Sequence, residues 1–367
     1  MPTRVRVAVL PQDKRELAVI EAMLPDPGPR QVVIKQFSSG VCHSQLHQIH
    51  NPRQNPVILG HESTGVVVAK GSDVTHVKEG DSVMVTWVPR NRAVNLLPTE
   101  PAALKLPDGT TAMSQNVFTW ADNTIADEQY VVKMPEDAVK DVTAIIACAV
   151  MTGAGAVLYT AGVKKGQSVA VFGVGGVGLS AIAAAREVGA DPIIAVDLDD
   201  SKLEFACKFG ATATVNASTV DPVAAIRKLT ERSGLLDSFR RPMSGVDFAF
   251  DCIGRKTTME QILRAARGGM LGGFSGGTAV LVGVPQERIE LNTIDVMVNE
   301  KKYIGCNGGS CQPDRDFPIF IDWHRNGKLD LNVLVTQRFT LDQINDAVAA
   351  LEAGSIQGRA ILEFDKK

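Results

Sequence analysis

GQSVAVFGVGGVGLSAIAAAREVGADPIIAVDLDDSK, residues 166–202, decides the fold. Ser168–Phe172 is an apolar, β-rich run of strand length. Gly173, Gly175 and Gly178 follow at G-x-G-x-x-G spacing, with Gly176 and Val177 inside the motif. Leu179, Ile182, Ala183 and Arg186 then recur at three- and four-residue steps, which predicts a helix over Val177–Val188 ended by Gly189. A second strand, Pro192–Val196, finishes on Asp197. The first glycine makes a tight turn, the second lets backbone N–H groups approach a pyrophosphate, and the third lets helix and strand pack closely. The helix N-terminus offers its unpaired N–H groups to the phosphate charge. Asp197 lies nineteen residues beyond Gly178, where a carboxylate can accept from both ribose hydroxyls of a dinucleotide. Asp199 and Asp200 follow with no arginine near, so a 2′-phosphate would be repelled and the reading is NAD rather than NADP.

Outward from this unit, strands and helices alternate to about residue 304, which implies a doubly wound parallel sheet. Pro222–Arg232 and Thr257–Ala266 read as helices, and Val246–Cys252 and Thr278–Val284 as strands. Residues 233–245 read as a loop insertion, and Gly268–Gly277 is rich in glycine without an evident reason in the sequence. Residues 1–37 alternate apolar and polar between Pro and Gly turns and read as strands and hairpins; residues 89–129 read as an irregular lobe. Thr143–Leu158 reads as a helix carrying Cys148. The tail reads as helices over Pro318–Arg325 and Leu341–Glu352 and a strand over Arg359–Phe364. A chain of 367 residues is expected to hold two domains. The expected division is 150–305 for the nucleotide domain and 1–149 with 306–367 for a β-rich partner.

The bulk numbers exclude whole classes. A net charge of −3 argues against nucleic-acid or acidic-membrane partners. The N-terminal MPTRVRVAVLPQ lacks the apolar core of a signal peptide. The uncharged run Ala144–Val163 is long enough to suggest a membrane span, but Gly153, Gly155 and Gly162 interrupt it, and a buried helix is the expectation. Six cysteines in this length form no disulfide framework, so a reducing, cytoplasmic setting is expected.

Cys42, His61 and Cys148 are the second candidate site. Two thiolates and an imidazole suit Zn²⁺, and three protein ligands leave a fourth position open. Singly, each also reads as an inert buried thiol or a satisfied histidine, and their spacing is too wide for a compact ligand motif. Cys207 and Cys252 read as core, and Cys306 and Cys311 as free thiols near a turn.

Gly40-Val41-Cys42-His43-Ser44, Gly60-His61-Glu62 and Cys148-Ala149-Val150-Met151-Thr152-Gly153, together with the glycine motif, resemble the zinc-dependent alcohol dehydrogenases of the medium-chain dehydrogenase/reductase superfamily. The resemblance covers nearly the whole chain. It implies an α/β protein: a Rossmann doubly wound parallel sheet domain plus a β-rich GroES-like catalytic domain. It implies reversible hydride transfer between an alcohol and NAD, giving an aldehyde or ketone. A more specialised relative, acting on thiol adducts of formaldehyde type, aryl alcohols or polyols, is the alternative. Cys42, His61 and Cys148 would hold the metal, with Glu62 beside it. Ser44 and His47 would pass the proton to the surface through the nicotinamide ribose. His43 and Arg359 would contact the pyrophosphate, Thr152 and Val284 the nicotinamide, and Asp197 and Lys202 the adenosine ribose. Trp87 and Trp120 would wall the substrate channel, unless either is core. A homodimer or homotetramer is expected.

Two departures stand out. Gln45 occupies a position where many members carry an acid that orients the metal-bound histidine. No cysteine lies between Cys42 and Cys148, so the four-cysteine lobe of many members has no counterpart and one zinc per chain is expected, with no structural zinc.

Overall fold

The computed structural model describes residues 3–96, 99 and 102–364. It divides into two compact units, residues 1–149 with 312–367 and residues 150–311.

The first unit opens with an antiparallel hairpin of β1 (Thr3–Leu10) and β2 (Ala18–Leu24), in which Val9 faces Ala18. β3 (Gln31–Val41), α1 (Ser44–His50), β4 (Val57–Ile58), β5 (Ser63–Lys70) and β6 (Ser82–Val85) follow. The stretch read as irregular, 89–129, instead contains β7 (Ala103–Lys105), β8 (Thr111–Met113) and β9 (Asn123–Asp127). Its residues 97, 98, 100 and 101 lie outside the described residues. β7 and β8 are too short to show a period, and four consecutive residues of β9 are buried, which erases its alternation. β10 (Val131–Lys133) pairs with β6.

The expected helix over Thr143–Leu158 is broken at the cysteine. Val142–Ala147 is a 3₁₀ turn, Cys148 sits at φ −143° and ψ −69°, and α2 (Ala149–Gly155) begins after it. The carbonyl of Ala147 accepts from the Thr86 hydroxyl at 2.8 Å. A side chain from just beyond β6 thus takes a carbonyl that a continuous helix would have used.

In the second unit, β11 (Val169–Phe172), α3 (Gly176–Glu187), β12 (Ile193–Asp197), α4 (Asp200–Phe209), β13 (Ala213–Asn216), α5 (Pro222–Leu229), β14 (Phe248–Asp251), α6 (Lys256–Ala265), β15 (Thr278–Leu281), α7 (Thr293–Val298) and β16 (Lys302–Gly305) alternate. The six strands are all parallel, in the order β13-β12-β11-β14-β15-β16. Chain direction across the sheet reverses between β11 and β14, and ligands of such sheets bind outside the carboxyl ends of strands at that point. Ala170, Phe172, Ile194 and Val196 lie in one buried cluster with Ile226 and Ile262 of the flanking helices. Gly268–Gly277 is a tight loop bridged between Met270 and Phe274, held by Arg267, which donates to the Ser275 carbonyl and stacks on the Phe274 ring. Cys207, read as core, is exposed: Leu203, Phe205, Ala206 and Phe209 take the inner face of α4. Cys306 and Cys311 follow β16, and the Cys311 thiol donates to the Met151 carbonyl. That contact keeps residues 306–311 with the second unit, so the chain returns to the first at Gln312 rather than at 306.

The tail completes the first unit with α8 (Pro313–Arg325), α9 (Leu331–Leu334), β17 (Val335–Thr340), α10 (Ile344–Glu352) and β18 (Arg359–Glu363). β18 lies antiparallel to β3, with Ala360 opposite Val41, and β17 runs parallel to β18. The seven-stranded sheet reads β10-β6-β5-β3-β18-β17, with β9 also on β3, beside a five-stranded sheet β2-β1-β4-β8-β7. Among the described residues no helix is long and apolar enough to cross a membrane.

Candidate active site

Cys42 stands just beyond the end of β3, His61 and Glu62 lie just before β5, and Cys148 occupies the break before α2. Three distant segments thus deliver four donor atoms that all lie within 4.8 Å of one another. The two sulfurs are 3.9 Å apart, and His61 Nε2 is 3.2 Å from Cys148 Sγ. Two sulfurs bonded to one tetrahedral zinc at about 2.3 Å each lie about 3.8 Å apart, so the pair fits that ion. Cys42 and Cys148 are buried, and two buried thiols cannot both ionise without a cation between them. The hydrogen bond from Cys148 holds the Cys42 thiol well below its usual range, helped by the charge of Arg359, while the same bond and burial push Cys148 well above it. The residues present therefore fit a divalent metal that would neutralise both.

Glu62 is fully buried, and burial pushes its carboxyl up to about 7 against the opposing charge of Arg359. Its Oε2 has no hydrogen-bond partner. Room for this side chain comes from Gly40: a Cβ there would stand 2.4 Å from Glu62 Cδ. Arg359, expected at a pyrophosphate, is buried and ion-paired with Glu62.

α1 carries the expected relay. Ser44 is its first residue, and its hydroxyl oxygen is buried without a partner. His47 lies three residues on, one helical turn along the same face. It is half-buried, which lowers its pKa, and its ring is 6.2 Å from that of exposed His43. Gln45, on the buried face, accepts from the Cys42 N–H at 3.0 Å and places its Nε2 2.5 Å from His61 Nδ1.

Of the two tryptophans, only Trp87 reaches the cluster. Its ring is 6.3 Å from His61, edge-on, and its Nε1 is buried without a partner. Trp120 is fully buried, donates to the Gly40 carbonyl and packs with Leu10, Leu46 and Ile344 as core.

In the second unit, Gly173 turns the chain at φ +86° after β11, and Gly175, Gly176 and Val177 open α3. A Cβ on Gly178 would lie 1.9 Å from the Gly173 carbonyl oxygen, so no other residue allows this turn-to-helix contact. Asp197 ends β12 and accepts from Val174 N–H at 3.0 Å and Leu198 N–H at 2.7 Å, which ties it to the glycine turn. Lys202 is half-buried in the first turn of α4. Thr152, in α2, keeps a buried hydroxyl without a partner, and Val284 is half-exposed beyond β15. The sequence reading passed over Ile253-Gly254-Arg255 at the carboxyl end of β14. A Cβ on Gly173 would touch Ile253, and Gly254 lies against the Val284 carbonyl. Their place at the sheet's reversal point was the available signal.

Residues 28–136 match the family model of the alcohol dehydrogenase GroES-like domain, and residues 176–326 that of the zinc-binding dehydrogenases. Alcohol dehydrogenase class-3 of Cereibacter sphaeroides is 31% identical over 96% of this chain and 97% of its own. S-(hydroxymethyl)glutathione dehydrogenase of Paracoccus denitrificans is likewise 31% identical over 96% and 97%. Among solved structures, benzyl alcohol dehydrogenase from Acinetobacter calcoaceticus aligns with a TM-score of 0.85 at 26% identity, covering 99% of this chain and all of that one.

Proposed function

Since the chain belongs to the zinc-dependent alcohol dehydrogenases of the medium-chain superfamily, oxidoreductases that use NAD, we propose that Cys42, His61 and Cys148 hold one zinc ion per chain and that Ser44 and His47 carry the proton of the substrate hydroxyl. The observation that carries this reading is the convergence of three distant segments on one set of donor atoms. A zinc ion held there would supply Lewis-acid chemistry at the hydroxyl oxygen, and NAD would supply the hydride acceptor.

This chain's residues supply the rest. The orphaned Ser44 hydroxyl accepts the substrate's proton, and His47, neutral at working pH because burial lowers its pKa, takes it onward. Thr152 offers a hydroxyl to the nicotinamide. Gly173–Gly178 and the N-terminus of α3 bind the pyrophosphate, with His43 as a further contact, and Asp197 and Lys202 bind the adenosine ribose. Arg359 acts indirectly, opposing the effect of burial on Glu62 and holding it in place beside the metal. Trp87 packs on His61 and bounds the space where a substrate would lie. The absence of any cysteine between Cys42 and Cys148 supports one zinc with no structural site. We further propose a homodimer or homotetramer in the cytoplasm, a reading that rests on the family and on the cysteine usage.

The test is zinc analysis of the purified protein together with NAD reduction on short, branched, aromatic, polyol and hydroxymethyl-thiol alcohols. One zinc per chain and turnover of at least one class are expected. A second tightly bound zinc would refute the single site, and the class turned over fastest decides between the general and specialised readings.

A further inference from the structure

Gln45 is 1% exposed and touches two of the proposed ligands. A carboxamide has one accepting oxygen and one donating nitrogen. The Cys42 N–H can only donate, so it takes the oxygen, at 3.0 Å. The NH₂ group is left facing His61 Nδ1 at 2.5 Å, and Nδ1 must accept. A neutral imidazole that accepts at Nδ1 carries its proton on Nε2. Nε2, 3.2 Å from Cys148 Sγ, is close enough to donate to the sulfur in that form, so the tautomer set by Gln45 leaves no donor of the ring unplaced.

A ring that gives its Nε2 lone pair to a metal needs the opposite tautomer, with the proton on Nδ1 and an acceptor facing it. Here a donor faces it. Turning the amide over would satisfy His61 but set the NH₂ against the Cys42 N–H. A carboxylate in the same place accepts from both at once.

We infer that Gln45 is a positioning residue that opposes metal loading: by favouring the Nε2–H tautomer of His61 it makes this site hold zinc less tightly and release it more readily than a carboxylate at position 45 would. The inference rests on the proposed ligand set.

The experiment follows zinc transfer from the holoenzyme to an excess of a chromogenic chelator. Gln45→Glu is expected to slow release tenfold to a hundredfold, the usual range for such supporting groups. Release as fast as in the unmodified chain, with the circular dichroism spectrum unchanged, overturns the inference. The second measurement needs no variant: ¹⁵N shifts of His61 in metal-stripped protein are expected to place the proton on Nε2, and a protonated Nδ1 overturns it. Cys148→Ser in the same assay tests the ligand set separately. If that variant holds zinc as tightly as the unmodified chain, the ligand set fails rather than the role of Gln45.

Discussion

Arg359 and Glu62, 297 residues apart in the chain, form an ion pair almost sealed from water. The antiparallel pairing of β18 with β3 brings them together, because it sets Arg359 beside the segment that carries Cys42. Burial opposes the charge on each and the partner's charge favours it; for Glu62 burial prevails and its carboxyl rises to about 7, while Arg359 stays charged. Arg359→Met removes one partner and strands the other, which costs about 3–5 kcal/mol. Glu62→Gln with Arg359→Met removes both, and much of that loss is expected to return. All three tryptophans lie in the first unit, so urea unfolding followed by tryptophan fluorescence reads the relevant transition. Equal losses in the single and double variants would show that the pair is not coupled.

Gly40 is part of the same arrangement. A methyl group at this position runs into the Glu62 carboxylate, which is already fixed by Arg359. Gly40→Ala is expected to lose about 1–3 kcal/mol by overpacking. Glu62→Ala in the Gly40→Ala background removes the obstacle, and the Gly40→Ala penalty should shrink sharply. The same fluorescence-monitored unfolding measures both.

The relay gives a kinetic prediction with a definite sign. Ser44→Ala is expected to lower kcat by about 10²–10⁴, the range of one acid–base group, and to leave NAD affinity near its original value. Burial lowers the His47 pKa, so its imidazole is neutral above the ordinary value of about 6.5 and gains a proton only below it. A proton acceptor must be neutral, so kcat/KM should fall as pH drops through that lower region. His47→Gln should lower kcat/KM and abolish this acid limb. A limb that persists in His47→Gln belongs to another group.

The nucleotide unit was legible because its chemistry is local. Strand, glycine turn, helix and terminal Asp197 sit within one continuous stretch, and periodicity places each within a residue or two of its observed bounds. The donor cluster was legible only through the resemblance, since Cys42, His61 and Cys148 come from three segments whose meeting depends on the whole sheet. What stayed hidden depends on long-range pairing. The Glu62–Arg359 pair needs β18 on β3. The break at Cys148 goes with Thr86, distant in sequence, taking the Ala147 carbonyl that would otherwise continue the helix. Trp120 became core rather than channel wall because Gly40 offers its indole a carbonyl.

Asp197 supplies the last test, one confined to the second unit. Its carboxylate already accepts from Val174 and Leu198, which fixes its orientation at the end of β12 while each oxygen keeps a free lone pair. In the proposed complex the ribose hydroxyls would use those lone pairs, and hydrogen bonds to a charged group contribute about 1.5–3 kcal/mol. Asp197→Ala should therefore weaken NAD by roughly tenfold to a hundredfold, since 1.4 kcal/mol is a factor of ten. NADP has only its 3′-hydroxyl to lose there, because a phosphate replaces the 2′-hydroxyl, and it is relieved of repulsion from one carboxylate, although Asp199 and Asp200 remain close in the chain. Its affinity should stay level or rise. Fluorescence titration of both cofactors against Asp197→Ala and the unmodified chain measures the ratio. A parallel loss for both would mean that Asp197 serves only the glycine turn through Val174, and NAD selectivity would then need another source.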